Sequence, residues 1–366
     1  MSENSVVRFA SCAVKELRRE ATLPAKFERL LRRYPLEEMF NNRTVAIKMH
    51  FGGDLGYTTI HPLFVRILVQ AIKKAGGKPF ITDGTGALQF AVARGYTEEV
   101  LGAPLVEAAG VANKYAYTRE VGLDTLDTID LCGNIVDAEA MVVFSHGKGH
   151  GHCGFGGAIK NLAMGCVAND SRGKIHRLQG EEFVWEGEKC TRCKACLQNC
   201  PAQGAIWFDE DDNLKWFDHN CRYCRHCDLS CPSQAIHLSA AGFLNFQRGM
   251  ALVTQKILDT FESNRVLLLS ALLNVTPYCD CWGFSTPALV PDIGIAAATD
   301  IVALEQASLD LIKAENLIPG SLPAPMSLGE GVHLFEKIHG KDPYTQVVCA
   351  EEIGLGSRAY ELEEVE

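Results

Sequence analysis

Short apolar runs alternate with stretches of helical spacing along the first half of the chain. Residues 6–10 (Val-Val-Arg-Phe-Ala) and 44–49 (Thr-Val-Ala-Ile-Lys-Met) predict strands. Between them, residues 24–33 place Phe27, Leu30 and Leu31 on one face with charges opposite, the period of an amphipathic helix. Pro62 sits at a first helical position, and that helix runs to Gly76-Gly77, a good stop. Residues 78–82 predict a strand, 88–93 a helix, 140–145 a buried strand and 157–164 the opening of another helix. Beyond residue 240 the alternation returns, with a helix at 243–261, strands at 265–275 and 293–297, and a helix at 301–315. The acidic end, residues 361–366, predicts a frayed tail.

Strands alternating with helices imply right-handed crossovers and an α/β fold, a mostly parallel, doubly wound sheet covered on both faces. The expected body is built from residues 1–182 and 241–366, with residues 183–240 inserted into it. Two α/β domains flanking the insert are the alternative.

The insert holds eight of the fifteen cysteines in a repeated C-x2-C-x2-C-x3-C-P pattern. The first copy is Cys190, Cys193, Cys196, Cys200-Pro201, and the second is Cys221, Cys224, Cys227, Cys231-Pro232. Three thiolates at this spacing can wrap one corner of a cubane from a short loop, and in two-cluster ferredoxins the fourth cysteine ligates the other cluster. One 4Fe–4S cluster is therefore expected on Cys190, Cys193, Cys196 and Cys231, and a second on Cys221, Cys224, Cys227 and Cys200. Each half then runs into a short apolar piece, residues 204–208 and 235–238, as a pseudo-twofold ferredoxin-like α+β module would. Zinc ribbons are the competing reading of C-x2-C pairs, but zinc gains nothing from identical triplets each closed by Cys-Pro. Radical chemistry on S-adenosylmethionine is disfavoured, because both triplets have a fourth cysteine.

Composition narrows the setting. With 366 residues, 47% hydrophobic and 22% charged, the chain has room for two to three globular domains. Its net charge of −10 argues against nucleic acid and favours a redox partner or electron carrier with a basic face. The start shows no basic segment followed by an apolar one, and the longest apolar run, residues 266–275, is too short to span a bilayer. The expected place is a reducing cytoplasm, where so many cysteines serve as ligands rather than disulfides.

In open α/β sheets, ligands bind beyond the carboxyl ends of the strands. That rule selects His50, Asp83, His146 and the Cys279-Asp280-Cys281 trio, each just past an apolar run. Set in a strand, Cys279 and Cys281 would face the same side, open to joint ligation or a redox dithiol. The loop from Ser145 to Gly157 carries Lys148, His150, His152, Cys153, Gly154, Gly156 and Gly157, and leads into Lys160 and Asn161. Glycines and a helix N-terminus suit an anion or carboxylate. The histidines with Cys153 suit a third metal, and a flavin is a further candidate. The glycines at 149, 151 and 154 match G-x-G-x-x-G, but no strand ending in an acidic residue follows at the distance a dinucleotide needs. Cys12, Cys132, Cys153, Cys166 and Cys349 stand alone and read as structural.

Several of these motifs together resemble the iron–sulfur-centre proteins grouped as domain of unknown function 362. The matching pieces are residues 145–150, 154–166, the double cysteine module, residues 276–283, residues 290–295 and the Lys48-Met-His50 region. The resemblance implies the inserted architecture and brings no reaction with it. The family commonly carries glycine between the ligands where Arg192, Lys194, Tyr223 and Arg225 stand here. A weaker likeness links the early half to the α/β domain of nickel-pincer racemases.

The expected function is electron transfer by two 4Fe–4S clusters, in an oxidoreductase that serves a small-molecule substrate or cofactor at the strand-end rim. His146, Lys148, Cys279, Asp280 and Cys281 are the candidate catalytic residues. His50, Asp83, His150, Gly154, Gly156, Gly157, Lys160 and Asn161 are the candidate binding residues. The alternatives are a non-catalytic electron-transfer or maturation subunit that docks a partner protein, and an enzyme whose clusters are structural.

Overall fold

The computed structural model describes the chain except residues 1–3, 54, 85, 124–125, 179–182, 201–203, 219, 222–225, 239–240 and 325. Its centre is an eight-stranded sheet: β1 (Ser5–Ser11), β2 (Thr44–Lys48), β3 (Lys78–Asp83), β4 (Leu105–Glu107), β5 (Ala140–His146), β6 (Val266–Leu272), β7 (Gly294–Ala298) and β8 (Tyr360–Glu364). The strands lie in the order β8-β1-β7-β6-β5-β2-β3-β4. β6, β5, β2, β3 and β4 form a continuous parallel block, whereas β7 is antiparallel to both β6 and β1. Strands from both sides of residues 183–240 therefore share one sheet.

Side-chain alternation explains why both faces are covered. On one face Val45, Ile47, Val142, Phe144, Leu267 and Leu269 pack with α1 (Leu23–Leu31) and α2 (Pro62–Lys74). The intervening residues Ala46, Met141, Val143 and Leu268 pack on the other face. Their partners there come from α3 (Ala158–Gly165), α4 (Asn169–Arg177), α5 (Ala241–Leu258) and α6 (Ile301–Leu311). Strands buried on both sides read as continuous apolar runs, and for that reason β5 and β6 are plain in the sequence.

Three expectations are corrected. The acidic tail is not frayed: β8 pairs in parallel with β1, Val365 N–H donates to Phe9 O at 2.9 Å or less (2.8 Å), and Val365 is buried. The three-residue strand β4 and the antiparallel pair Ala116–Leu123 with Leu126–Cys132 carry no clear apolar alternation and went unpredicted. Cys279 and Cys281 lie on no strand, because Asp280–Trp282 is a single 3-10 turn.

Residues 183–238 form a small unit with its own apolar cluster of Ala205, Ile206, Leu214, Ile236 and Leu238 around Cys196, Cys221 and Cys227. Phe183–Trp185 pairs antiparallel with Ile236–Leu238, and Ile206–Phe208 with Leu214–Trp216. One-turn helices at Ala195–Gln198 and His226–Leu229 precede the second strand of one pair and the first of the other, so the two halves echo each other. Cys224, Pro201, Tyr223 and Arg225 lie outside the described residues, as do the proposed boundaries at 182 and 240.

Candidate functional site

The carboxyl ends of β2, β3 and β5 and the loop after β6 surround a cavity of about 490 Å³. Of the residues selected by position in the sequence, His50, Asp83, His146, Lys148, His150, Gly156, Gly157, Lys160, Asn161, Cys279 and Cys281 line it. Asp280 and Gly154 do not.

Asp83 anchors one side. It is 3% exposed and accepts hydrogen bonds from Lys48 Nζ (2.9 Å), His50 Nδ1 (2.9 Å), Phe51 N–H (3.1 Å) and Gly84 N–H (2.7 Å). Burial alone would raise its pKa, but the charges of Lys48 and His50 hold it well below the usual carboxylate range. Lys48, itself buried, also donates to Met49 O (2.8 Å) and Asn161 Oδ1 (2.5 Å), and Asn161 donates to Ser145 Oγ (3.0 Å). This network ties β2, β3, β5 and α3 together directly beneath the cavity. Burial works against a charged His50, yet Asp83 raises its pKa above the ordinary value. With Nδ1 on the carboxylate, His50 turns Nε2 inward toward Cys279, buried and with no closer hydrogen-bond partner among the described residues.

Asp280 anchors the other side from behind the wall. It accepts from Lys148 Nζ (2.6 Å) and His146 Nδ1 (2.8 Å), while His146 Nε2 donates to Leu273 O (2.6 Å). Against burial, Lys148 and His146 hold Asp280 well below the usual carboxylate range. Both nitrogens of His146 are engaged, so neither is free for substrate or metal. Three of the five residues named as catalytic candidates, His146, Lys148 and Asp280, thus form a buried brace that fixes the Cys279–Cys281 turn. Close backbone approach completes it: Gly53 N–H donates to Asp280 O (2.8 Å), and a Cβ on Gly53 would fall 2.6 Å from Gly283 Cα.

The brace presents Cys279, buried, and Cys281, open to the cavity. Cys281 Sγ lies 3.8 Å from His150 Nε2, and Lys160 Nζ lies 3.8 Å from Cys279 Sγ. A hydrogen bond from the Cys281 thiol, then, against burial, the Lys160 charge and the His150 and His50 rings hold Cys279 well below the usual thiol range. The same shared proton and burial push Cys281 well above it. By contrast, burial pushes the thiols of Cys153 and Cys166 up to about 12, as expected for inert core cysteines.

The start of α3, where an anion was expected, is occupied by the chain's own carboxyl group. Glu305 on α6 is fully buried and its Oε1 accepts the Ala158 N–H at 2.6 Å. Gly157 is needed there because a Cβ would collide with that carboxylate. Gly154, with φ +75°, packs under Lys341 O and Pro343 and serves the turn between Lys148–His150 and Gly154–Gly156, not the cavity. His152 pairs with Asp218, and its ring lies 5.8 Å from that of His150 and 5.0 Å from that of His176.

In the cysteine unit, burial lifts the Cys196 thiol, and so do its neighbours Cys190, Cys231 and Cys193. Cys231, from the second repeat, is thus near enough to Cys196 for its charge to act on that thiol. Arg192 and Lys194, where glycine is common in the family, adopt left-handed φ of 58° and 60°. Arg192 is compensated by hydrogen bonds to Gly187 O and Cys190 O (both 2.9 Å) and by its place over the Trp185 ring. The unit meets the loop after β6 and residue Lys341 through Phe217, Asp218 and Asn220. Phe217 packs edge-on against Trp282 (5.7 Å), Tyr278 Oη donates to Asn220 Oδ1 (3.4 Å), and Lys341 Nζ donates to Asp218 O (3.0 Å) and to Gly151 O.

Lys48, Glu305, Lys341 and Arg172 went unselected in the sequence. Lys48 carried a usable signal, a lysine at the end of an otherwise apolar strand. Glu305 and Lys341 carried none, since their role arises from contacts with residues about 150 and 190 positions away.

The solved structures similar in shape include the lactate racemase apoprotein from Thermoanaerobacterium thermosaccharolyticum, at 13% identity and a TM-score of 0.36, covering 73% of this chain and 50% of that one. A Thermotoga maritima protein from structural genomics matches at 12% identity and a TM-score of 0.36, over 68% of this chain and 50% of its own. The chain thus spans half the length of either. No curated protein matches it. The family model described as "Domain of unknown function (DUF362)" matches residues 45–310, which include the whole cavity rim and the cysteine unit, and the chain belongs to that family.

Proposed function

We propose that this protein is an iron–sulfur electron-transfer oxidoreductase whose rim cavity holds the small ligand or cofactor that exchanges electrons. Cys190, Cys193, Cys196 and Cys231 would hold one 4Fe–4S cluster, and Cys221, Cys224, Cys227 and Cys200 the second. The donor set fits such a group: Cys231 joins the first triplet across the repeat, and the Ala235 N–H points at its sulfur at 3.3 Å. Against burial, such N–H donors hold Cys190 and Cys231 below the usual thiol range, toward the thiolate that binds iron. Bound clusters supply one-electron transfer.

The observation that carries the reading is the contact of Phe217 and Asn220 with the residues that flank Cys279 and Cys281, two of the cavity's lining residues. The segment that enters the second cysteine triplet packs on Tyr278 and Trp282, which flank Cys279 and Cys281 in sequence. At the cavity the chain's own residues bind and orient. Lys160 brings positive charge, His50 holds a proton at its inward nitrogen, and the two buried braces keep both in place.

Protein purified without oxygen should contain about eight irons per chain and give spin-coupled signals by electron paramagnetic resonance after reduction. Cys231→Ser should lower the iron content by about half. Zinc in the cysteine unit with no iron would overturn the proposal.

A further inference from the structure

We propose that Cys279, Cys281 and His150 form a binding site for one thiophilic divalent metal ion of the zinc class, open to the rim cavity. The two sulfurs and the imidazole nitrogen lie within 4.8 Å of one another, and no ion is needed to bring them there. Zinc bound to sulfur at about 2.3 Å and to nitrogen at about 2.0–2.1 Å places tetrahedral ligands roughly 3.5–3.8 Å apart. The Cys281–His150 separation of 3.8 Å meets that spacing. Two thiolates and one imidazole, with the remaining position facing a cavity, is the donor set of an open, catalytic type of site rather than a closed structural one. Soft sulfur ligands select zinc over magnesium or calcium.

Three further observations point the same way. The turn is built to hold both sulfurs: Cys279 Sγ accepts the Cys281 N–H (3.4 Å), and the Asp280 between them is clamped by Lys148 and His146. His50 stands beside Cys279 with Nδ1 on the Asp83 carboxylate and its other nitrogen buried toward that sulfur, the arrangement by which carboxylates orient metal-facing histidines. His50 therefore borders the open position. Lys160 offsets the charge of two thiolates in a partly buried place. His150 Nδ1 accepts the His152 N–H at 3.0 Å, so its ring proton lies on Nε2, toward the sulfurs. For an ion to bind Nε2 that proton must move to Nδ1, and the ring then gives up the His152 amide.

The inference uses the rim cavity but does not depend on the clusters, and its test separates the two. Cluster-loaded protein, purified without oxygen, is treated with Zn2+ or Co2+, freed of excess ion, and assayed for non-iron metal per chain. One ion per chain is expected, and with cobalt the thiolate-to-metal charge-transfer bands of a tetrahedral sulfur site. The double variant Cys279→Ser, Cys281→Ser and the single variant His150→Ala should lose that ion while keeping their iron and their reduced-cluster spectra. Cys193→Ser should lose iron and keep the cobalt bands. If the double variant folds poorly, as read by circular dichroism, His150→Ala alone decides. Absence of a bound ion in the wild type, retention of it in His150→Ala, or recovery of Cys279 and Cys281 as a disulfide from reduced protein would each overturn the inference.

Discussion

Glu305 offers the sharpest test of the electrostatics beneath the cavity. Burial raises its pKa from an ordinary 4.5 to about 8, and the Ala158 and Ile159 N–H groups only partly oppose the rise. Its second oxygen, Oε2, is buried without a partner, which agrees with a carboxyl that stays protonated near neutrality. An acid with a raised folded pKa gives stability that is complete below the unfolded value and is lost as pH climbs through the folded one. The window here runs from about pH 4.5 to about pH 8. At about 1.36 kcal/mol per pH unit, the site costs the fold roughly 3 kcal/mol between pH 6 and pH 8. Glu305→Gln keeps the size of the side chain and an oxygen for the Ala158 N–H, and removes the titration. Urea midpoints of the two proteins should therefore nearly coincide at pH 5 and separate as pH rises, the variant being more stable by roughly 3 kcal/mol or more at pH 8. A gap that stays constant from pH 6 to pH 8 would refute the reasoning, since it would mean that Glu305 does not change its ionisation there.

Among the described residues the left-handed Lys194 makes no side-chain contact comparable to those of Arg192, so Lys194→Gly should stabilise the cysteine unit by about 1 kcal/mol, while Arg192→Gly should not; thermal melts compare the two. Asp83→Asn leaves Lys48 buried beside a neutral partner and should cost about 3–5 kcal/mol in chemical denaturation, a loss that Asp83→Glu would only partly show. Truncation after Ala359 removes β8, buried Val365 and the Arg8–Glu363 ion pair (3.0 Å), and should lower stability by about 3 kcal/mol, read as a lower urea midpoint.

The sequence was legible wherever a property is local. Runs such as 44–49, 140–145 and 266–272 are apolar because both faces of their strands are covered, and that alone announces the parallel block. The rule that ligands gather past strand ends picked His50, Asp83, His146, Cys279 and Cys281 of the cavity lining, because a strand's end fixes where the next residues must go. The repeated cysteine spacing is local too, as each triplet occupies one short loop. What the sequence could not weigh was which polar residue serves the ligand and which serves the fold. His146, Lys148 and Asp280 looked like chemistry, but their mutual contacts at 2.6–2.8 Å make them a brace. Glu305 and the tail strand looked like nothing in particular. One closes the start of α3 and the other closes the sheet edge, both through partners that only the folded chain brings near. Spacing along a chain fixes helices, strands and ligand loops. The meeting of Cys279, Cys281, His150 and His50 depends on separations of more than a hundred residues, and only the packed sheet decides those.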